Sequence, residues 1–244
     1  MTARYCMRLT AAAVALAVIM GGCARQTRLG AGYDVYVDLK GYSNPFMPGG
    51  EWDEPSEFKG SGDITICQDR QKASAKIDVR SKADGYFSAQ LYSPFGAAIA
   101  EVDAEGFKGS VSAGGERREF AYDDKMFGLP FPGAGRVTFA EFIKIVTTGV
   151  PQSARKLPPN PVSAVYEKKK VTVLWVDEAV EARVKIAAKK RDIVGIIFQY
   201  NTADAACTIE LGRIKEGAAR EISIRDAASG NYITIKYDTV KTVK

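Results

Sequence analysis

The chain has 244 residues, of which 46% are hydrophobic, enough for a core in one all-β domain or two small domains. It contains no histidine, which removes the usual general base of Ser-His-Asp and Cys-His enzymes and the commonest transition-metal ligand. A formal charge of +5 is too mild for a dedicated nucleic-acid binder. No catalytic residue, metal site or cofactor is therefore expected, and no nucleic acid as a partner.

The first element is a signal. Arg4 and Arg8 precede an apolar run from Leu9 to Met20, then Gly21, Gly22 and Cys23. Such a run is a secretory h-region, too short to span a bilayer as a mature helix. The cysteine after two small residues resembles the lipobox of bacterial lipoproteins. That resemblance implies cleavage after residue 22 and a thioether-linked diacylglycerol on Cys23. Losing Arg4 and Arg8 lowers the charge from +5 to +3. Ala24, in place of aspartate, favours the outer membrane by resemblance to known sorting rules. The mature protein is expected at its periplasmic face, held in the bilayer by the Cys23 acyl chains.

Residues 23–58 read as a Gly/Pro-rich tether, with Pro45, Pro48, Gly49, Gly50 and Pro55. A flexible chain of that length spans about 30–35 Å on average. Tyr33, Val35, Val37 and Leu39 alternate within it and would suit an edge strand. From residue 59 onward a single domain is expected. Ala73, Ala75, Ile77 and Val79 alternate with polar residues, as do Phe87, Ala89 and Leu91, then Phe107 and Val111. This period of two marks strands with one buried face, and the turns between them indicate an antiparallel meander.

One segment changes period. Phe139, Phe142, Ile143 and Val146 fall at i, i+3, i+4 and i+7, with Thr138 and Glu141 as a capping box and Gly149 then Pro151 as a stop. A short helix or turn is also expected near Asp123 to Gly128. Strands then resume, with shared faces at Val171, Val173 and Trp175, at Val184 and Ile186, and at Ile193 and Ile197. Ile222 with Ile224, and Ile233 with Ile235 and Tyr237, complete the pattern. The fold class is mainly β (α+β): a curled antiparallel sheet or open half-barrel covered by one or two helices.

The concave face of such a sheet is either filled by side chains or open to an apolar ligand. Ala73, Ala75, Ala89, Gly109 and Gly195 are small and would leave room near its axis. Cys67 and Cys207, in an oxidising compartment, form either a disulfide or two buried thiols. Lys168-Lys169-Lys170 and Lys189-Lys190-Arg191 could meet anionic headgroups or be solvated turns. Gly60-Ser61-Gly62 lacks a following helix and is not a phosphate loop.

The order of features from Gly60 to Pro151 resembles the LolB-like outer-membrane lipoprotein receptors and their soluble carrier relative, LolA. The matching pieces are Ser93-Pro94-Phe95-Gly96, then Phe120-Ala121-Tyr122-Asp123-Asp124, Gly128-Leu129-Pro130, and a helix ending in Thr148-Gly149-Val150-Pro151. The family's tryptophan ahead of the Pro-apolar-Gly turn is missing here. The resemblance implies an open curled sheet with helices over its mouth, and a non-enzymatic lipoprotein carrier or acceptor. It implies that Phe95 protrudes and helps insert client lipids into the bilayer.

The residues expected to line an acyl-chain cavity are Ile77, Val79, Phe87, Leu91, Phe139, Phe142 and Ile143. The expected partners are acylated lipoproteins or lipids, the outer membrane, and a periplasmic carrier protein. An envelope scaffold with a filled core, binding a protein through a sheet edge, is the alternative. A hydrolase ranks last, because no nucleophile motif accompanies the missing histidine.

Overall fold

The computed structural model describes residues 39–47, 52, 55–106, 108–124, 138–178, 180–202, 205–215 and 218–243. The expected signal and lipidation site at Cys23, the expected strand at Tyr33 to Val37, and the Gly128-Leu129-Pro130 step lie outside them. Thirteen strands form one antiparallel sheet. They are β1 Glu57–Gln68, β2 Gln71–Lys82, β3 Phe87–Tyr92, β4 Ala98–Glu105, β5 Lys108–Ala113, β6 Glu116–Ala121, β7 Ser163–Glu167, β8 Lys170–Val176, β9 Val180–Ala187, β10 Ile193–Thr202, β11 Ala205–Lys215, β12 Ala218–Asp226 and β13 Tyr232–Val243. Among the described residues one α-helix, α1 Phe139–Thr148, lies between β6 and β7, followed by a short 3-10 turn at Gln152–Lys156.

The strand order is β6-β5-β4-β3-β2-β1-β13-β12-β11-β10-β9-β8-β7. The chain starts at the centre and meanders out to β6. It then crosses by way of α1 to the other edge, β7, and meanders back until β13 pairs with β1. The sheet is not closed, and it matches the expected curled sheet with a helix over it. Its inner face carries the alternate apolar residues: Phe58, Ile77, Val79, Phe87, Ala89 and Val102 in the first half, then Val173, Trp175, Ile196, Phe198, Ile209, Leu211, Ile222 and Ile235 in the second. All belong to one continuous core.

Helix α1 lies on that face because five of its ten residues are apolar or small and buried: Phe139, Ile143, Ile145, Val146 and Thr147. Its start is set by Thr138, whose hydroxyl accepts from Glu141 N at 3.2 Å. Its end is set by Gly149 at φ 76°, whose N–H donates to Ile145 O at 2.9 Å. A Cβ at Gly149 would also stand 2.7 Å from Leu211 Cδ2. At the other end, Phe139 stacks on Phe120 of β6 at 5.7 Å and meets Tyr122 edge-on at 6.1 Å. The helix therefore crosses the strands, from β5–β6 to β11–β12.

Three expectations change, and one open alternative is decided. The folded part starts before residue 59: Phe46 and Trp52 are buried in the core, Phe46 against Phe198 at 5.1 Å. Asn44 ties this segment down, donating through Nδ2 to Leu157 O and accepting from Phe46 N, both at 2.9 Å. In β10 the buried face is Ile196, Phe198 and Tyr200, while Ile197 pairs across the outer face with Arg183 and Glu210. A register shift between Ile193 and Gly195 changes the parity, so Ile193 and Ile197 do not share a face.

Of the two alternatives for Cys67 and Cys207, the structure has the unbridged thiols, Cys207 buried and Cys67 half-buried. They sit on β1 and β11, three strands apart, roughly 14 Å at the usual strand spacing and beyond disulfide reach. Finally, the space over Gly109 is filled. A Cβ there would lie 2.1 Å from Phe139 Cε1, so the glycine admits the ring and leaves no hole.

Candidate functional site

The β3–β4 connection is a tight turn. Gly96 N donates to Ser93 O at 2.9 Å, Ser93 N to Ala97 O at 2.8 Å, and Ala97 N to the Ser93 hydroxyl at 3.2 Å. Pro94 presets the turn, and Gly96 takes the left-handed φ of 83° that closes it. This backbone leaves Phe95 outside, 97% exposed. The residues after it continue the apolar surface: Ala97, Ala98 and Ile99 are all exposed, and no charge falls between Ser93 and Ala100. An aromatic on a rigid turn carries its apolar area outward with little entropy left to lose on insertion.

Next to that turn the inner face is only partly covered. Ile66, Ala75, Leu91, Ala100 and Val111 are half-buried, on β1 to β5 toward the Phe95 end. Register joins them to the sealed core: Leu91 faces Ile77 and Ala100, and Val111 faces Val102. Of the residues expected to line a cavity, Ile77, Val79, Phe87, Phe139 and Ile143 are buried within the core. Leu91 and Phe142 are half-buried and pack against it.

Two cavities flank the sheet and helix. One of about 240 Å³ lies between α1 and the β2–β3 turn, touching Phe87, Tyr122, Ala140 and Ile143, with Lys82, Lys144 and Gln152 among its polar walls. Of the expected cavity residues only Phe87 and Ile143 reach it. The other, about 590 Å³, is lined by Asp103, Glu105, Lys108, Arg117 and Glu119 besides Tyr86 and Phe120. Those charges make it a poor environment for hydrocarbon.

A polar cluster that sequence reasoning missed fastens the helix. The Tyr200 hydroxyl donates to Glu141 Oε1 at 2.7 Å, and the Ser153 hydroxyl donates to the same oxygen at 3.0 Å. Tyr200 and Ser153 are themselves 3.0 Å apart. The carboxylate of the expected capping box is thus aimed at β10 and the 3-10 turn. Burial pushes the Tyr200 hydroxyl well above the ordinary tyrosine range, and the adjacent Glu141 carboxylate adds to the shift. Tyr237 supplies a second tie, donating to Val146 O at 2.7 Å from a fully buried position. Nothing in local sequence marks these contacts, because their partners lie 59 and 91 residues away. Asp123 and Asp124 sit in the turn after β6, where Asp124 Oδ2 accepts from Ala121 N at 2.7 Å.

No protein-family model matches the chain, and no curated protein does. Solved structures do match. A domain from Vibrio parahaemolyticus, named for outer-membrane lipoprotein sorting, aligns with TM-score 0.52 at 6% identity, over 79% of this chain and 87% of that one. A DUF1329 family protein from Desulfovibrio piger aligns with TM-score 0.55 at 8% identity, over 79% and 88%. A LolA superfamily protein from Nitrosomonas europaea aligns at TM-score 0.48 and 12% identity, over 82% and 91%. The likeness establishes a fold shared with these structures.

Proposed function

We propose that this chain is a lipid-anchored, non-enzymatic carrier or acceptor of acylated molecules at the periplasmic face of the outer membrane. The observation that carries the reading is a fully exposed Phe95 beside a half-covered apolar strip, on a fold shared with a lipoprotein-sorting domain. Acyl chains of a client lipoprotein would lie on Ile66, Ala75, Leu91, Ala100 and Val111, with Phe142 as a half-buried neighbour on α1. The sealed residues Ile77, Val79, Phe87, Phe139 and Ile143 would form the floor beneath. Phe95 would enter the bilayer and lead the chains out.

Hydrocarbon passing between two apolar surroundings changes little in free energy, so differential affinity sets the direction. That chemistry requires neither a nucleophile nor a metal. Cys23 would supply the anchor, and a periplasmic carrier protein would deliver the client. The test is delivery of a lipidated protein from detergent-free complex to outer-membrane vesicles. Phe95→Glu should fold normally and fail to deliver, because a carboxylate on the tip opposes entry to the bilayer. Full delivery by that variant would overturn the assignment.

A further inference from the structure

Two basic runs that are separate in sequence meet at one place in the fold. The β7–β8 turn holds Lys168 and Lys169, followed by Lys170. The β9–β10 turn holds Lys189, Lys190 and Arg191. The turns are neighbours, since Lys170 pairs with Ala187 and Ala188 N donates to Lys169 O at 3.0 Å. All six cations are exposed, and none makes a salt bridge within 4.0 Å among the described residues. The carboxylates beside them in sequence are Glu167 and Asp192. This cluster lies at the strand ends opposite those that carry the Phe95 turn.

The turn's own backbone does not favour these cations. Lys168 at φ 45° and Lys169 at φ 70° occupy both left-handed positions of a two-residue hairpin loop, where Asn-Gly is the favoured pair. Arg191 takes φ 57°, a position that also favours glycine or asparagine. Left-handed backbone is costly for long side chains, so local stability would be better served by other residues.

We infer that this paired basic tip is a docking site for an anionic lipid surface. Five of the six cations are lysines, which act as mobile point charges, whereas a fixed carboxylate pattern on a protein would suit the planar fork of arginine. Tyr166 and Val194, each 38% exposed, stand two and three residues from the runs and suit the apolar fringe of a headgroup layer. The inference concerns attraction to a lipid surface in an encounter separate from the one in which Phe95 enters the bilayer, and it is independent of acyl cargo.

The test uses residues 23–244 with Cys23→Ser and Phe95→Glu, so that neither an acyl anchor nor the aromatic turn contributes. Its binding is measured to vesicles of phosphatidylcholine alone and of phosphatidylcholine with phosphatidylglycerol, at low and high salt. Binding is expected only to the anionic vesicles, and is expected to weaken strongly with salt. Lys168→Asn with Lys169→Gly removes two charges and should weaken that binding about 25-fold, at about fivefold per charge. The same double variant should melt at a higher temperature, because the loop then carries its favoured residues. Lost binding in this variant would therefore not reflect lost folding. Unchanged binding by it, or equal binding to neutral vesicles, would overturn the inference. So would no binding to either vesicle, an outcome that would turn attention to an acidic protein surface.

Discussion

Phe95 makes no demand on the core, so substitutions there separate function from folding. Phe95→Glu should change unfolding free energy by no more than about 0.5 kcal/mol in a urea titration. Gly109 is the opposite case. Its missing Cβ is the space taken by the Phe139 ring, 2.1 Å from where that atom would stand. Gly109→Val should destabilise by about 1–3 kcal/mol and loosen the N-terminal end of the helix, seen as earlier hydrogen exchange there. Tyr237 contributes differently, by satisfying the Val146 carbonyl in the last turn of α1. Tyr237→Phe keeps the ring packed against Phe58 and should cost about 0.5–1.5 kcal/mol, measured by the same titration.

At the scale of elements, α1 is held by apolar burial along its length and by Glu141, Tyr200 and Ser153 at one side. Tyr200 and Tyr237 both keep their protons above the ordinary tyrosine value of 10.0. The unfolded chain loses those protons near pH 10. Their contribution is thus complete below about pH 10 and falls as pH rises further. Melting temperature followed into alkaline buffer should decline, and the decline should be shallower in Tyr200→Phe.

The helix itself was legible in the sequence, down to Thr138 at its start and Gly149 at its end, because caps and period are local signals. The strand faces were legible wherever alternation ran unbroken, as at Ile77 and Val79 or Ile233 and Ile235. β10 departs from the pattern because a register shift beside Gly195 breaks the alternation without a local mark. Phe46 and Trp52 were hidden in a Gly/Pro-rich stretch that looks like a tether but carries two core anchors. The polar fastening of α1 was not legible at all, since it joins residues far apart in sequence.

For the whole molecule, an open thirteen-stranded sheet with one crossing helix brings three features into relation. These are a protruding aromatic turn, a half-covered apolar strip beside it, and a paired basic tip at the other strand ends. The turn could be read from Pro94, Phe95 and Gly96. The strip could not, because which inner-face residues α1 covers depends on where the helix lies across the strands. The Cys67–Cys207 distance was equally out of reach, since pairing of β1 with β13 fixes it. A reducing agent should therefore leave the melting temperature unchanged, and both thiols should react with a maleimide after unfolding; a mass shift for a bridged species would contradict the topology.

The proposed function requires that the inner face accept acyl chains. Native mass spectrometry of the mature chain with Cys23→Ser, incubated with a lipidated peptide and with its unlipidated twin, tests it most directly. A one-to-one complex with the lipidated peptide alone is expected, weakened by Leu91→Glu on the half-covered strip. Binding of neither peptide would contradict it and favour a filled-core envelope scaffold.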